Sequence, residues 1–417
     1  MMNCKHIIAV IFLFASCRLS AQITINDYRN EVVAYSHQLE ISGLETERAE
    51  ADMERAKRGY LPTVMLASEK SLQLQRQGRG KLLSGATRLG VEQTLYRGGA
   101  VHSAAKRAEL MHERSGVYDE LAMMDVCYSA DAAYWGLSRT EALLAINREY
   151  LSAVDSLRSI VGRRFREGYS AKGDLLQVES RMSDARYQLS QREQSYLIAL
   201  HGFNSLRGVA LDEDVALDDN IFDALPMPER ADVALLLECH PLSRRSALQS
   251  EYARWGVASA RAPFLPSVDV NLYGALMPKY ASPNGRLVSG VLGLTISTPI
   301  FHFGERSAAM RSAKIAYYEE QLRGEEVADN LRRDEADAWA NLVNSYHRVT
   351  SARSSLAIAR ENFDMSLYSY GEGMATILDV LQAQITWLQI CENVVAAYYD
   401  YAMAHAAYDY VTARQNN

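Results

Sequence analysis

Apolar positions recur along most of the chain at alternating steps of three and four, the spacing of one face of an α-helix. In the second half Trp339, Leu342, Tyr346, Val349, Leu356, Ala359, Phe363, Leu367 and Tyr370 form one such stripe, interrupted at Arg353. Leu381, Gln384, Leu388, Cys391, Val395, Tyr398 and Ala402 form the next, and Leu143, Ile146, Tyr150, Ala153, Leu157 and Ile160 echo them in the first half. Stripes this narrow are coiled-coil seams, so each helix needs a partner, and Cys391 reads as a packed core thiol. Two segments switch to a period of two, the signature of strands with unlike faces. In one, Val268, Val270, Leu272 and Leu276 alternate with Asp269, Asn271 and Tyr273, and Val288, Leu292, Leu294 and Ile296 return opposite Ser289, Thr295 and Ser297 across the turn Ser282-Pro283-Asn284-Gly285. The other sets Val64, Leu66, Leu72 and Leu74 against Glu69, Ser71, Gln73 and Gln75 before a tip Gly78-Arg79-Gly80-Lys81, which lacks the spacing of a phosphate-binding loop.

The two patterns repeat. Gly59-Tyr60-Leu61-Pro62-Thr63-Val64 answers Pro263-Phe264-Leu265-Pro266-Ser267-Val268, and Gly99 answers Gly304. Glu167-Gly168 with Asp174, Leu176 and Gln177 answers Glu372-Gly373 with Asp379, Leu381 and Gln382, 205 positions on. The chain is therefore two copies of one unit: helix, β-hairpin, very long helix, tight turn, helix. The predicted boundaries are a first repeat over 22–207 with its hairpin at 62–98, an acidic connecting segment at 208–230, and a second repeat over 231–417 with its hairpin at 266–303. The connector holds Asp212, Glu213, Asp214, Asp218, Asp219 and Asp223, but not the spacing of a calcium loop, so it reads as a solvated link. Gly99 to Glu167 and Gly304 to Glu372 each cover 69 residues, about 100 Å of helix at ~1.5 Å per residue. The shorter helices of each unit, laid end to end, match that length. The pattern predicts a rod.

A net charge of −7 argues against a nucleic-acid binder driven by phosphate neutralisation, and 48% hydrophobic residues exclude disorder of the whole chain. Lys5, the apolar run Ile7 to Ala15 and Leu19-Ser20-Ala21-Gln22 read as a signal peptide over 1–21, with Phe14-Ala15-Ser16-Cys17 as a rival lipidation site. The remaining cysteines, Cys127, Cys239 and Cys391, make no disulfide framework. No later stretch approaches the ~20 apolar residues of a membrane helix. A bilayer crossing would have to be a β-barrel, and four strands cannot close one, so the protomer would share its barrel with copies of itself. A soluble four-stranded sheet with one wet face is the alternative. The 24 tyrosines suit wetted helix seams and membrane-interface girdles alike. Nothing supports catalysis, since the nine histidines are scattered and Cys239-His240 before Pro241 reads as a helix start. The expectation is a protein with no catalytic, cofactor or metal site.

In its duplication, its Gly59-Tyr60-Leu61-Pro62 and Pro263-Phe264-Leu265-Pro266 approaches to the strands, its Leu95-Tyr96-Arg97-Gly98-Gly99 and Ile300-Phe301-His302-Phe303-Gly304 exits and its Gly-x5-Asp turns, the mature chain resembles the TolC-like outer-membrane efflux proteins. The fold implied is mainly α with a small β part: duplicated helical hairpins, each with a two-strand β-hairpin, assembled as a trimeric α-barrel tunnel under a shared 12-stranded β-barrel. The function implied is the outer-membrane exit duct of a tripartite efflux or type I secretion system. Its partners would be two further copies, a periplasmic adaptor (membrane fusion) protein, an inner-membrane pump or transporter, and outer-membrane lipid. A periplasmic coiled-coil adaptor and a soluble extracytoplasmic helical scaffold are the alternatives. On this reading the turns carrying Glu167, Gly168, Glu372 and Gly373 dock the adaptor. Asp174 and Asp379, with Gln177 and Gln382 a turn beyond, ring the periplasmic aperture with six carboxylates, unless each aspartate merely caps its helix. The resemblance also implies that Tyr370 lies near this aperture and helps to hold it shut, while a basic gating position of the family appears here as Ala375.

Overall fold

The computed structural model describes residues 22–73, 82–223, 225–277 and 287–414. The predicted signal sequence, with Cys17, and both hairpin tips lie outside the described residues. The first repeat contains α1 (Ile25–Tyr35), α2 (His37–Lys57), β1 (Thr63–Gln73), β2 (Leu82–Arg97), α3 (Ala100–Arg166) and α4 (Lys172–Arg207). The second contains α5 (Val233–Cys239), α6 (Pro241–Arg261), β3 (Ser267–Met277), β4 (Leu287–Ser297), α7 (Glu305–Gly371) and α8 (Ile377–Val411). The two long helices α3 and α7 are each 67 residues.

Periodicity alone predicts one unbroken helix before each hairpin, whereas each is in fact two. Ser36 ends α1 in an extended conformation, its N–H reaching back to the Val33 carbonyl, and its Oγ then accepts from Leu39 N at 3.4 Å to start α2. In the second repeat Pro241, which cannot donate within a helix, is the first residue of α6, and His240 caps it by accepting from Leu242 N at 3.1 Å. The Cys239-His240 pair is thus a helix junction, as the sequence suggests.

The chain divides into two compact units. One comprises residues 22–39, Ala122–Val233 and 333–414 and contains all three hydrophobic clusters among the described residues. Every member of the predicted α8 seam is buried, Gln384 and Cys391 included, and burial pushes the Cys391 thiol up to about 11. Aromatic pairs fill this core, with Phe363 stacked on Trp387 and Tyr28 on Phe203. The connector follows the first repeat as a largely exposed segment. Its carboxylates mostly face water, but its backbone is strapped to the helices: Ile23 N donates to Ala216 O, Ile221 N to Ser138 Oγ, and Tyr401 Oη to Leu225 O. Asp219 accepts from Ile25 N at 2.8 Å, placing a negative charge on the α1 N-terminus. At its end Arg230 forms a two-pronged pair with the fully buried Glu335, at 3.0 and 2.9 Å.

The other unit, Glu40–Leu121 and Ala234–Arg332, contains the sheet. Its four antiparallel strands lie in chain order β1-β2-β3-β4, so β1 and β4 are open edges. The register places Val64, Val91, Leu272 and Leu292 in one cross-strand row, Leu66 beside Leu89, and Val268 beside Ile296, all on one face. The opposite face carries the rows Thr63, Glu92, Asn271 and Thr94, Asp269, Thr295. The apolar face is bare: Leu66, Leu292 and Ile296 are 74%, 73% and 66% exposed. A bulge at Leu95 bends β2 before it leaves the sheet. At the exit Gly98 has φ +56 and its backbone is so close to Ala262 that a Cβ would meet that carbonyl oxygen at 2.2 Å. Its repeat counterpart is Phe303, held at φ 45 with its ring exposed. For a bulky residue that conformation costs about 1–2 kcal/mol. Along the helices this unit buries little, and α2 buries none of its residues.

Arg230→Ala should be among the most damaging single changes in the first unit, because it strands Glu335 without its cation. The loss should be smaller than for a fully buried pair, because the arginine is half-exposed. Breaking the exposed Arg348–Asp400 pair should cost ~1 kcal/mol or less. Thermal unfolding of the two variants side by side checks the order.

Candidate functional site

The two helical turns repeat to within a hydrogen bond. After α3, Gly168 N donates to Phe165 O and Tyr169 N to Arg164 O; after α7, Gly373 N donates to Tyr370 O and Met374 N to Ser369 O. This is a Schellman closure, with the glycine in the left-handed region at φ 82 in one turn and 77 in the other. The glycines are needed because other residues resist that conformation. Glu167, Gly168, Glu372 and Gly373 are all exposed.

The aspartates that follow are third residues of their helices and are held differently. Thr376 Oγ accepts from Asp379 N, and the Asp379 carboxylate accepts from Thr376 N at 2.8 Å and Thr376 Oγ at 2.7 Å, a complete capping box. Those two bonds hold the Asp379 carboxyl below the usual carboxylate range. Ala171 caps α4 with no side-chain oxygen to offer, and Asp174 instead accepts from Ser170 Oγ at 2.8 Å. Asp379, Gln177 and Gln382 are exposed and Asp174 half-buried. The capping role weighed from sequence is therefore real for Asp379, and its charge still faces water.

Tyr370 is buried, and its hydroxyl has no hydrogen-bond partner. What engages it is Arg164, a residue the sequence reading missed. Its guanidinium lies 5.1 Å from the Tyr370 ring centroid and donates through Nη1 to Tyr370 O at 2.9 Å and Gly371 O at 2.7 Å. The last turn of α7 carries no basic residue of its own, while that of α3 carries Arg163, Arg164 and Arg166. Arg164 thus supplies across the repeats the positive charge that the carbonyl end of α7 calls for. An arginine-rich last turn was visible in the sequence; its crossing to the other hairpin was not. Farther along the same hairpins Arg192 pairs with Glu392 at 2.6 Å and Arg360 with Glu149 at 2.9 Å, again joining first repeat to second.

Thr376→Ala should cost about 1 kcal/mol through loss of the α8 cap, and Gly168→Ala or Gly373→Ala about 1–2 kcal/mol each through left-handed strain. Because the Asp379 pKa is lowered on folding, its contribution is present above the ordinary carboxylate range and fades as pH falls through its depressed value. Hydrogen exchange of the turn amides, measured between neutral and acid pH, should show the second turn loosening at the acid end, and Asp379→Asn should flatten that dependence.

Comparison with known proteins follows this geometry. The family model for outer membrane efflux proteins matches residues 28–209 and 234–409, one stretch in each repeat. The outer membrane efflux protein BepC of Brucella suis is 22% identical over 317 residues, covering 75% of this chain and 68% of BepC. The alkaline protease secretion protein AprF of Pseudomonas aeruginosa is 25% identical over 260 residues, covering 58% of this chain and 52% of AprF. Among solved structures, CusC superposes with a TM-score of 0.83 over 94% of this chain and 92% of its own, at 15% identity. At that identity the likeness shows the fold.

Proposed function

Given that the chain belongs to the outer membrane efflux protein family, a family of outer-membrane channels and not of enzymes, we propose that three copies assemble into one exit duct fed by a periplasmic adaptor and an inner-membrane pump or transporter. The observation that carries the assembly is the sheet. It has two unpaired edges and a bare apolar face, and backbone groups left unpaired in lipid cost several kcal/mol each. Pairing β4 of one protomer with β1 of the next removes every edge and closes twelve strands, with the apolar rows toward lipid and the rows of Glu92, Asn271 and Asp269 toward the lumen. The nearly coreless α2 gains its packing partner from the same assembly. Family membership sets aside the adaptor and soluble-scaffold alternatives.

The repeats, each a helical hairpin with its β-hairpin, are the duct's structural units. The turns at Glu167-Gly168 and Glu372-Gly373 form the periplasmic mouth and meet the adaptor; sixty-seven helical residues separate each turn from its sheet exit. Asp174 and Asp379 ring that mouth, with Gln177 and Gln382 one turn inside, and six carboxylates attract cations and oppose constriction. Tyr370 keeps the mouth narrow through its ring, on which Arg164 lies, since its hydroxyl binds nothing. The similarity to AprF, a protease secretion protein, makes type I secretion one of the two services this duct suits, beside small-molecule efflux.

The assembly predicts a heat-modifiable trimer extracted only by detergent and a particle with threefold symmetry and a central passage; a soluble monomer would overturn it. In planar bilayers Asp174→Asn with Asp379→Asn, which keeps the side chains' hydrogen-bonding oxygens while removing charge, should weaken cation selectivity and divalent block by several-fold. Unchanged selectivity would leave the aspartates as caps alone. Tyr370→Phe should leave conductance as it is, whereas Arg164→Ala should raise it.

A further inference from the structure

A cleft of about 580 Å³ opens in the sheet-bearing unit between α3, α6 and α7. Its floor includes Gly98 and Gly99, which carry β2 into α3, and Leu265, which leads into β3, so it adjoins the end of the sheet from which both chain segments emerge. Its walls combine two kinds of side chain. Trp255, Tyr317 and Tyr318 supply aromatic surface, with Trp255 edge-on to His102 at 5.2 Å. Arg254, Arg261 and Lys314 supply positive charge, and among the described residues Arg254 pairs with Glu251 at 2.7 Å. Arg261 and Lys314 are exposed, and among the described residues neither has a carboxylate within ion-pair distance. Basic side chains lining one cleft favour an anion bound there.

We propose that this cleft binds the phosphate-bearing headgroup of an anionic phospholipid of the outer membrane's inner leaflet, with Arg261 and Lys314 on the phosphate and Trp255 and Tyr318 against the glycerol and upper acyl chains. Continuity selects a lipid over a free anion. The cleft adjoins the sheet whose bare apolar face runs through Val268 and Ile296 to its exits, and beyond β4 follow the exposed Ile300, Phe301 and Phe303, a surface suited to acyl chains and not to water. Aromatic rings with basic side chains just outside an apolar band are the arrangement that holds a membrane protein at an interface. The inference rests on the reading of the sheet as lipid-embedded, and it adds a specific, charge-selective headgroup site that the barrel does not require.

The test uses the full-length trimer in a neutral detergent, titrated with short-chain phosphatidylglycerol, short-chain phosphatidylcholine or inorganic phosphate, with binding read by native mass spectrometry. Phosphatidylglycerol should bind at least tenfold more tightly than phosphatidylcholine, and millimolar phosphate should neither bind nor compete. Arg261→Gln with Lys314→Gln should abolish the preference, Lys314→Gln alone should reduce it at least threefold, and the charge-keeping pair Arg261→Lys with Lys314→Arg should retain it. Equal binding of the two lipids, a preference that survives the double glutamine variant, or full competition by phosphate would overturn the proposal. The trimer band of the same samples separates the two readings: a missing trimer in the parent protein sinks the barrel, and an intact trimer without lipid preference sinks only the headgroup site.

Discussion

Backbone hydrogen bonding in the absence of water is the constraint on which the rest of this molecule turns. A strand in lipid must have neighbours on both sides, and the described residues form four strands in one open sheet whose edges are β1 and β4. No rearrangement within one copy removes both edges, because closing so few strands would demand an impossible curvature. In the proposed assembly the neighbouring copies supply the missing partners. The face polarity then gives the proposed barrel its orientation, since rows such as Val64, Val91, Leu272, Leu292 would be costly facing water and rows such as Thr94, Asp269, Thr295 costly facing hydrocarbon.

The helices divide along the same logic. In the unit that contains the turns, seams from α3, α4, α7 and α8 meet and bury large side chains, with cross-repeat ion pairs at their margins. In the unit that contains the sheet, α2 buries nothing, which for a helix of 21 residues without flanking support would leave it marginal in water. One unit thus has a large core of its own, while α2 in the other has none.

Duplication leaves its marks in the backbone and its departures in the side chains. Both turns share a Schellman closure with matched hydrogen bonds, and both pre-hairpin helices break at matching places, Ser36 and His240. Yet the second turn gained a full capping box where the first has only Ser170 and Asp174, and it borrows from the first repeat, through Arg164, the cation its own helix end lacks. At the sheet exits Gly98 is obligatory because the backbone passes against Ala262, while Phe303 takes up the same left-handed conformation with its ring in the open. The copies share a path and differ in what they have to hold.

The amino-acid sequence determined the features that depend on period and on glycine. A step of three and four marked the α8 seam residue by residue, a step of two marked the strand faces, and the repeated Gly-x5-Asp marked the turns, because each reflects a local geometry with one side chain per fixed rotation. At the connector composition spoke only to the exposed carboxylates and not to the backbone, which is strapped down through its own N–H and carbonyl groups. The helix break at Ser36 escaped the periodicity because a single extended residue hardly disturbs the apolar phase, whereas Pro241 marked the one at His240. Arg164 reaching Tyr370 and Gly371, Arg230 reaching Glu335, and the basic side chains gathered beside Trp255 were decided only in three dimensions. Each joins residues far apart along the chain, so which charges meet follows from how the two repeats pack, and no local spacing encodes it.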